Sequence, residues 1–203
     1  MNYKDRTKKS ALNIIGLVKP LAMAIILVAV LQVSGLMNSV STFGSWALLE
    51  AGFKNASDEE LMSNEDFDYQ FTIKDLQETK ISFDQYKGKV IFLNLWATWC
   101  RPCRAEMPGI QKLYEKVDKD KVTFIMLSID PDSDKRNVSD YLQNKAFTFP
   151  AFMPSGYLPD QLKVPSIPTT FVISKEGKIV KKEVGSMRYD TPKFQKFLEE
   201  LSQ

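Results

Sequence analysis

The 203-residue sequence contains no histidine and only two cysteines, Cys100 and Cys103. The first absence removes Ser-His-Asp and Cys-His catalysis and imidazole ligation of a metal. It also removes covalent haem attachment, because Arg104 stands where that motif needs histidine. Two cysteines without histidine fall short of a four-ligand zinc site. An excess of one charge is missing too: 27 Lys and Arg face 25 Asp and Glu, for a net charge of +2. No basic stripe interleaved with aromatics occurs, so nucleic acid is not an expected partner. Internal repeats and low-complexity tracts are likewise missing. What the chain does have is apolar mass, 44% hydrophobic with 11% aromatic, enough for a real core and against global disorder. Its length suits one ordinary domain plus an extra segment.

That extra segment lies at the N-terminus. Residues 1–19 open with Lys4, Arg6, Lys8 and Lys9 against a single acid, Asp5. Pro20 to Val40 then gives 21 uncharged residues, enough to cross about 30 Å of hydrocarbon. Positive charge before the span and none close after it predicts a single-pass signal-anchor at 20–40 with a cytoplasmic N-terminus. Lys19 can snorkel to that interface. A cleaved signal peptide is the competing reading, but the apolar run is long for one and no Ala-x-Ala site follows. No cysteine lies near positions 35–40, so a lipoprotein anchor is excluded. Residues 41–64 form a juxtamembrane linker. Trp46 to Phe53 is weakly amphipathic, and Asp58-Glu59-Glu60 through Glu65-Asp66 is an acidic, solvated stretch. The domain boundary is placed near Asn64, which leaves 65–203 as one domain.

Within that domain Phe67 to Ile73 alternates apolar and polar and reads as a strand, followed by a turn and a second short strand at Thr79–Phe83. Lys89 to Leu95 is a central buried strand. A helix-like run follows from Arg104 to Val117. Val122 to Ile129 is another buried strand, and Asp132 to Asn144 a helix capped by Asp132 or Ser133. Phe149 to Met153 is a short strand, and Tyr157 to Lys163 one or two helical turns. Pro168 to Ser174 and Ile179 to Val184 form a hairpin. Phe194, Phe197, Leu198 and Leu201 give a closing helix at Pro192–Leu201.

The two cysteines sit between the central strand and the first helix. A structural disulfide is a weak reading, because so short a loop removes only about 2 kcal/mol of unfolded-state entropy, against about 3 for fifteen residues. A Cu(I) pair is chemically reasonable, since thiolates are soft ligands. A redox couple is the sharper reading. Cys100 at a helix start meets unpaired N–H groups and the positive end of the helix dipole, with Arg101 and Arg104 nearby. It is therefore expected to be the attacking thiolate, and Cys103, one turn in, the more buried resolving thiol. Pro102 has no N–H to lose in a first turn. A thiol brought from about 8.5 to about 7 gains about 15-fold in thiolate but loses about fivefold in nucleophilicity, so positioning must supply the rest. About 65 residues after the pair, Ile167-Pro168-Thr169 opens a core strand. Pro168 is either an ordinary trans proline at a strand end or a cis-proline beside the pair.

Trp99-Cys100-Arg101-Pro102-Cys103, the strand before it and Ile167-Pro168-Thr169-Thr170-Phe171 resemble a thioredoxin fold. More narrowly, Leu93-Asn94-Leu95-Trp96-Ala97-Thr98-Trp99-Cys100 with Glu106-Met107-Pro108 resembles the membrane-tethered TlpA/ResA-like thiol-disulfide oxidoreductases over roughly residues 65–203. The resemblance implies an α/β, thioredoxin-like fold: a central mixed sheet flanked by helices, an added N-terminal β-hairpin, and one transmembrane helix ahead of it. It implies a cis Pro168 and a substrate platform of Trp99, Arg101, Pro102, Ile167, Pro168 and Thr169. Ordinary thioredoxins carry a buried Asp where this chain has Asn94, which cannot shuttle a proton. The ResA-like branch carries a functional Glu three residues after the second cysteine, where Glu106 stands. Glu106 is thus the implied acid/base for the Cys103 proton, and burial should raise its pKa.

The implied activity is extracytoplasmic thiol-disulfide exchange, reducing disulfides of exported proteins, with apocytochrome c as one substrate class. A membrane thiol transporter would supply the electrons. No cofactor and no metal are expected. Two alternatives stand beside it. A thiol peroxidase of the peroxiredoxin type needs an upstream Pro where Leu93 stands, and a Ser or Thr three residues before the cysteine, whereas Thr98 is two before Cys100. Copper-delivery proteins of related fold use a histidine that this chain lacks.

Overall fold

The computed structural model describes residues 64–203. The expected span at 20–40 and all of the 41–64 linker but its last residue lie outside the described residues. Among the described residues no helix is long and apolar enough to cross a membrane.

The chain folds as β1 (Glu65–Asp66), β2 (Thr72–Asp75), β3 (Lys80–Ser82), β4 (Val90–Trp96), α1 (Arg101–Lys116), β5 (Val122–Ser128), α2 (Lys135–Asn144), β6 (Ala151–Pro154), β7 (Thr169–Ile173), β8 (Lys178–Val184) and α3 (Pro192–Leu201). The strands form one sheet in the order β1-β8-β7-β4-β5-β6-β2-β3. β4, β5 and β6 run parallel, while β7 and β8 return antiparallel. β2 and β3 form a hairpin added antiparallel to β6. The sheet is therefore mixed.

β4 lies between β5 and β7, and all seven of its residues are buried. A strand covered on both faces must be apolar nearly throughout, which is why Val-Ile-Phe-Leu-Asn-Leu-Trp shows no alternation. The pleat still sorts its side chains. Val90, Phe92 and Trp96 join one core cluster with α1, α2 and α3, while Ile91, Leu93 and Leu95 join a second. The three α-helices thus all pack on one face. The connections β4-α1-β5 and β5-α2-β6 step the same way across the sheet, and right-handed crossovers then put both helices on the same side.

The opposite face is closed by aromatics rather than by an α-helix. Phe67, Tyr69, Phe71 and Phe83 pack there, with the Phe71 and Phe83 rings stacked at 4.3 Å. This corrects the strand expected at Phe67–Ile73: only Thr72 and Ile73 of that stretch enter a ladder. Alternation reported which side chains are buried, not whether the backbone had a strand to pair with. The segment is tied down by Phe67 N–H donating to the Gly177 carbonyl at 2.8 Å. Gly177 turns β7 into β8 at φ +79°, and a Cβ there would stand 3.4 Å from the Tyr69 ring. Both facts require glycine.

The start of α2 also differs. Asp132–Asp134 is a short 3-10 turn, and α2 begins at Lys135 with no side-chain cap. Asp132 is engaged elsewhere, accepting from Lys74 Nζ at 2.9 Å. By contrast α3 starts at Pro192 as expected, and Thr191 Oγ1 accepts from Phe194 N–H at 3.2 Å.

Candidate active site

α1 begins at Arg101, three residues before the expected Arg104, because Cys100 is itself the N-cap. Its backbone is extended (φ −81°, ψ 104°), and its Sγ accepts from the Cys103 N–H at 3.2 Å. The turn that links the cysteines is therefore the first helical turn, and Pro102 fits a position whose N–H would have no helical acceptor. Cys100 and Cys103 are joined by a disulfide, with Cα atoms 5.3 Å apart. Both are buried, Cys100 at 4% exposure and Cys103 at 1%. The difference in burial expected between them is thus small in the oxidised state. Trp99, Arg101 and Pro102 form the exposed rim. The Arg104 guanidinium turns away onto the Tyr141 ring at 5.3 Å.

The Ile167–Pro168 bond is cis. This turn faces the disulfide, with Cys100 Sγ 3.8 Å from the Ile167 carbonyl oxygen. A disulfide sulfur carries no hydrogen, so this is a packing contact. A reduced Cys100 thiol at that place would have an acceptor. The Pro168 carbonyl accepts from Gly185 N–H at 2.8 Å, and Thr169 Oγ1 donates to the Ser166 carbonyl at 2.8 Å. Ile167 is half-buried, whereas Thr169 is fully buried, so the Thr169 hydroxyl shapes the turn instead of lining its surface.

Glu106 lies one turn beyond Cys103 on the buried side of α1, at 2% exposure. Asn94 Nδ2 donates to its Oε1 at 2.8 Å, and the Met187 N–H donates to its Oε2 at 3.1 Å. Burial pushes the Glu106 carboxyl up to about 8, the two hydrogen bonds pulling the other way. Asn94 Nδ2 also donates to Thr170 Oγ1 at 2.8 Å, and Tyr189 OH donates to the same oxygen at 2.7 Å.

A second buried carboxylate fixes the approach to the pair. Asp130, 4% exposed, accepts from Thr98 N–H at 2.9 Å, Thr98 Oγ1 at 2.6 Å and Ser128 Oγ at 2.6 Å. With Ile129 N–H donating to the Trp96 carbonyl, these bonds clamp Trp96–Thr98 to the end of β5. The Thr98 hydroxyl is thereby spent on Asp130, two residues before Cys100.

Sequence reasoning missed Asp130, Thr170, Met187 and Tyr189. Asn94, the lone polar residue of an otherwise apolar strand, was the available signal for Thr170, since the two are directly opposite in the ladder. Nothing local marks Tyr189 or Met187. Among the described residues no group of three or more Cys, Asp or Glu is placed to hold a metal.

The exposed large hydrophobics share one end of the sheet. Trp99 follows β4, Ile129 follows β5, Tyr157 follows β6, and Val184 ends β8. Given the strand directions, all four emerge at the end that carries the disulfide.

The model described as the AhpC/TSA family matches residues 66–182. The thiol-disulfide oxidoreductase ResA of a Bacillus cereus strain is 37% identical over 116 residues, covering 57% of this chain and 66% of that protein. The chain thus spans just under two thirds of that relative's length. The thioredoxin-like protein YneN of Bacillus subtilis (strain 168) is 34% identical over 118 residues, covering 58% of this chain and 69% of that protein. Among solved structures, that of StoA from Bacillus subtilis is similar at a TM-score of 0.51 and 27% identity, over 66% of this chain and 96% of that one. The enzyme class expected from the sequence is the class for which the first of these relatives is named.

Proposed function

This chain belongs to the AhpC/TSA family, and from that premise we propose that it is a thiol-disulfide oxidoreductase that reduces protein disulfides through the Cys100–Cys103 couple. The observation that carries the reading is the placement of that couple, capping α1 and packed against the cis Ile167–Pro168 turn.

The reaction needs only the chain's own groups. In the reduced protein the Cys100 thiolate, at the positive end of α1, attacks one sulfur of a substrate disulfide. A mixed disulfide forms and the other substrate sulfur leaves as a thiolate. Cys103 then loses its proton and attacks the Cys100 sulfur. The bond to substrate breaks, the second substrate thiolate leaves, and the Cys100–Cys103 disulfide remains. Two electrons have passed from the dithiol to the substrate. Glu106, one turn beyond Cys103, takes the resolving thiol's proton and later returns it when the pair is reduced. With its proton held to about pH 8, the carboxyl works in the range a thiol proton requires.

The apolar rim supports a polypeptide substrate. From β8 to β6 the sheet crosses four inter-strand gaps, roughly 19 Å at the usual spacing, or about six residues of extended chain. An extended segment laid across the strand ends would meet Val184, Ile167, Cys100, Ile129 and Tyr157 in turn. In the fuller reading residues 20–40 anchor this domain outside a bacterial membrane. Its substrates are then exported proteins, apocytochrome c among them, and its electrons come from a membrane thiol transporter. The deciding experiment is the midpoint potential of the Cys100–Cys103 couple, measured with reduction of a disulfide-bearing protein. A potential below that of exported-protein disulfides, with turnover, supports the proposal. A couple that passes no electrons to protein disulfides sinks it.

A further inference from the structure

We propose that Asn94, Thr170 and Tyr189 form a hydrogen-bond chain that positions the Glu106 carboxyl and governs when it gives up its proton. This rests on the proposed role of Glu106 as carrier of the Cys103 proton. Asn94 is 1% exposed in a strand that is otherwise apolar. A leucine there would serve packing alone. Both N–H bonds of its amide are used, one to Glu106 Oε1 and one to Thr170 Oγ1, each at 2.8 Å. Its Oδ1 is buried with no hydrogen-bond partner. A buried acceptor left unpaired is costly, so the residue is held for its two donors, and one of them is aimed at the carboxyl.

The far end of the chain is rigid. Tyr189 is fully buried, edge-on to Phe92 and to Phe194 at 5.2 Å each. Its hydroxyl donates to Thr170 Oγ1 at 2.7 Å. The Thr170 oxygen therefore accepts from both sides, which fixes the side of Asn94 that faces Glu106. The chain joins β4, β7 and the segment after β8 to the first turns of α1. That segment grips α1 twice more: Met187 N–H donates to Glu106 Oε2, and Ser186 Oγ donates to the Pro102 carbonyl at 2.7 Å.

The direction of the effect follows from the donors. Hydrogen bonds from Asn94 and Met187 favour the ionised carboxylate and oppose burial, which favours the acid. Removing the Asn94 donor leaves burial less opposed, so Glu106 keeps its proton to higher pH. The other titratable groups around the chain are Cys103 on α1, Tyr189 itself, and on β8 Glu183, which stands opposite Thr170 and pairs with Lys181 Nζ at 3.0 Å. Arg188 on the crossing segment pairs with Asp190 at 2.9 Å.

The test is the titration of the Glu106 carboxyl in the oxidised full-length chain, followed by carbon-13 NMR of labelled glutamate and assigned with Glu106→Gln. Asn94→Leu should raise the midpoint by about one pH unit, the size of one lost hydrogen bond to a charged group. Thr170→Val and Tyr189→Phe should raise it by less. Thr170→Ser keeps the hydroxyl and should restore the parent midpoint, which a merely structural role would not produce. Unmoved midpoints in Asn94→Leu and Thr170→Val, both folded, would overturn the proposal. The readout needs no free thiol. If Glu106→Gln left the pH profile of exchange unchanged, the proton-carrier role would fall while the titration result stood.

Discussion

Asn94 Nδ2 lies 2.8 Å from Glu106 Oε1. The strand position where ordinary thioredoxins keep a buried acid holds here the amide that hydrogen-bonds a different acid, one on the facing helix. Glu106→Gln keeps both of those contacts possible but cannot carry a proton. Its exchange rate should lose the pH dependence set by a group titrating near 8. An identical pH–rate profile in the two proteins would remove Glu106 from the reaction.

The same carboxyl sets a stability slope. Its pKa rises from 4.5 unfolded to about 8 folded, so between these values the folded state holds a proton that the unfolded state has lost. Stability then falls as pH rises, by as much as ~5 kcal/mol across the window. It is fully present below pH 4.5 and gone above about 8. Urea midpoints at pH 5 and pH 8 should differ in the parent chain and much less in Glu106→Gln. Equal slopes in both would contradict the buried, protonated carboxyl.

Order of attack can be read by trapping. Cys103→Ser removes the resolving thiol and should accumulate mixed disulfides through Cys100, resolved by mass spectrometry of captured partners. Accumulation in Cys100→Ser through Cys103 would reverse the two roles.

Thr98→Val deletes the 2.6 Å bond to the buried Asp130 carboxylate while keeping the side chain's shape. A hydrogen bond to a charged group is worth about 1.5–3 kcal/mol, so the thermal midpoint should drop. Because the clamp lies two residues before Cys100, kcat/KM for disulfide exchange should drop with it. An unchanged rate in a destabilised variant would confine Asp130 to folding.

Ile129→Ser and Tyr157→Ser lie on the rim, away from the cysteines. They should raise KM for a disulfide-bearing protein several-fold and leave a small-molecule disulfide unaffected. Equal effects on both substrates would show that the rim does not dock polypeptide.

Much of this was legible in the sequence because it is local. The spacing of Cys100 and Cys103, the apolar run of β4, the Lys178 to Val184 return and the Pro192 start of α3 each depend on a handful of neighbouring residues. Where the sequence misled, the signal was local but its cause was not. Alternation in Phe67–Phe71 came from rings packing on a sheet face, and Asp132 left its capping role for Lys74, 58 residues away.

The sequence by itself determined that this protein has one dithiol, no histidine to assist it, and a strand–cysteine–helix order that puts Cys100 at a helix start. Only the tertiary structure decided what surrounds that dithiol. The register of β4 with β7 set Asn94 opposite Thr170, and the return after β8 brought Tyr189 and Met187 to the same place. Partners separated by 76 and 81 positions share one hydrogen-bonded cluster. Buried polar groups must find partners wherever the packed chain supplies them, and no spacing along the sequence records where that will be.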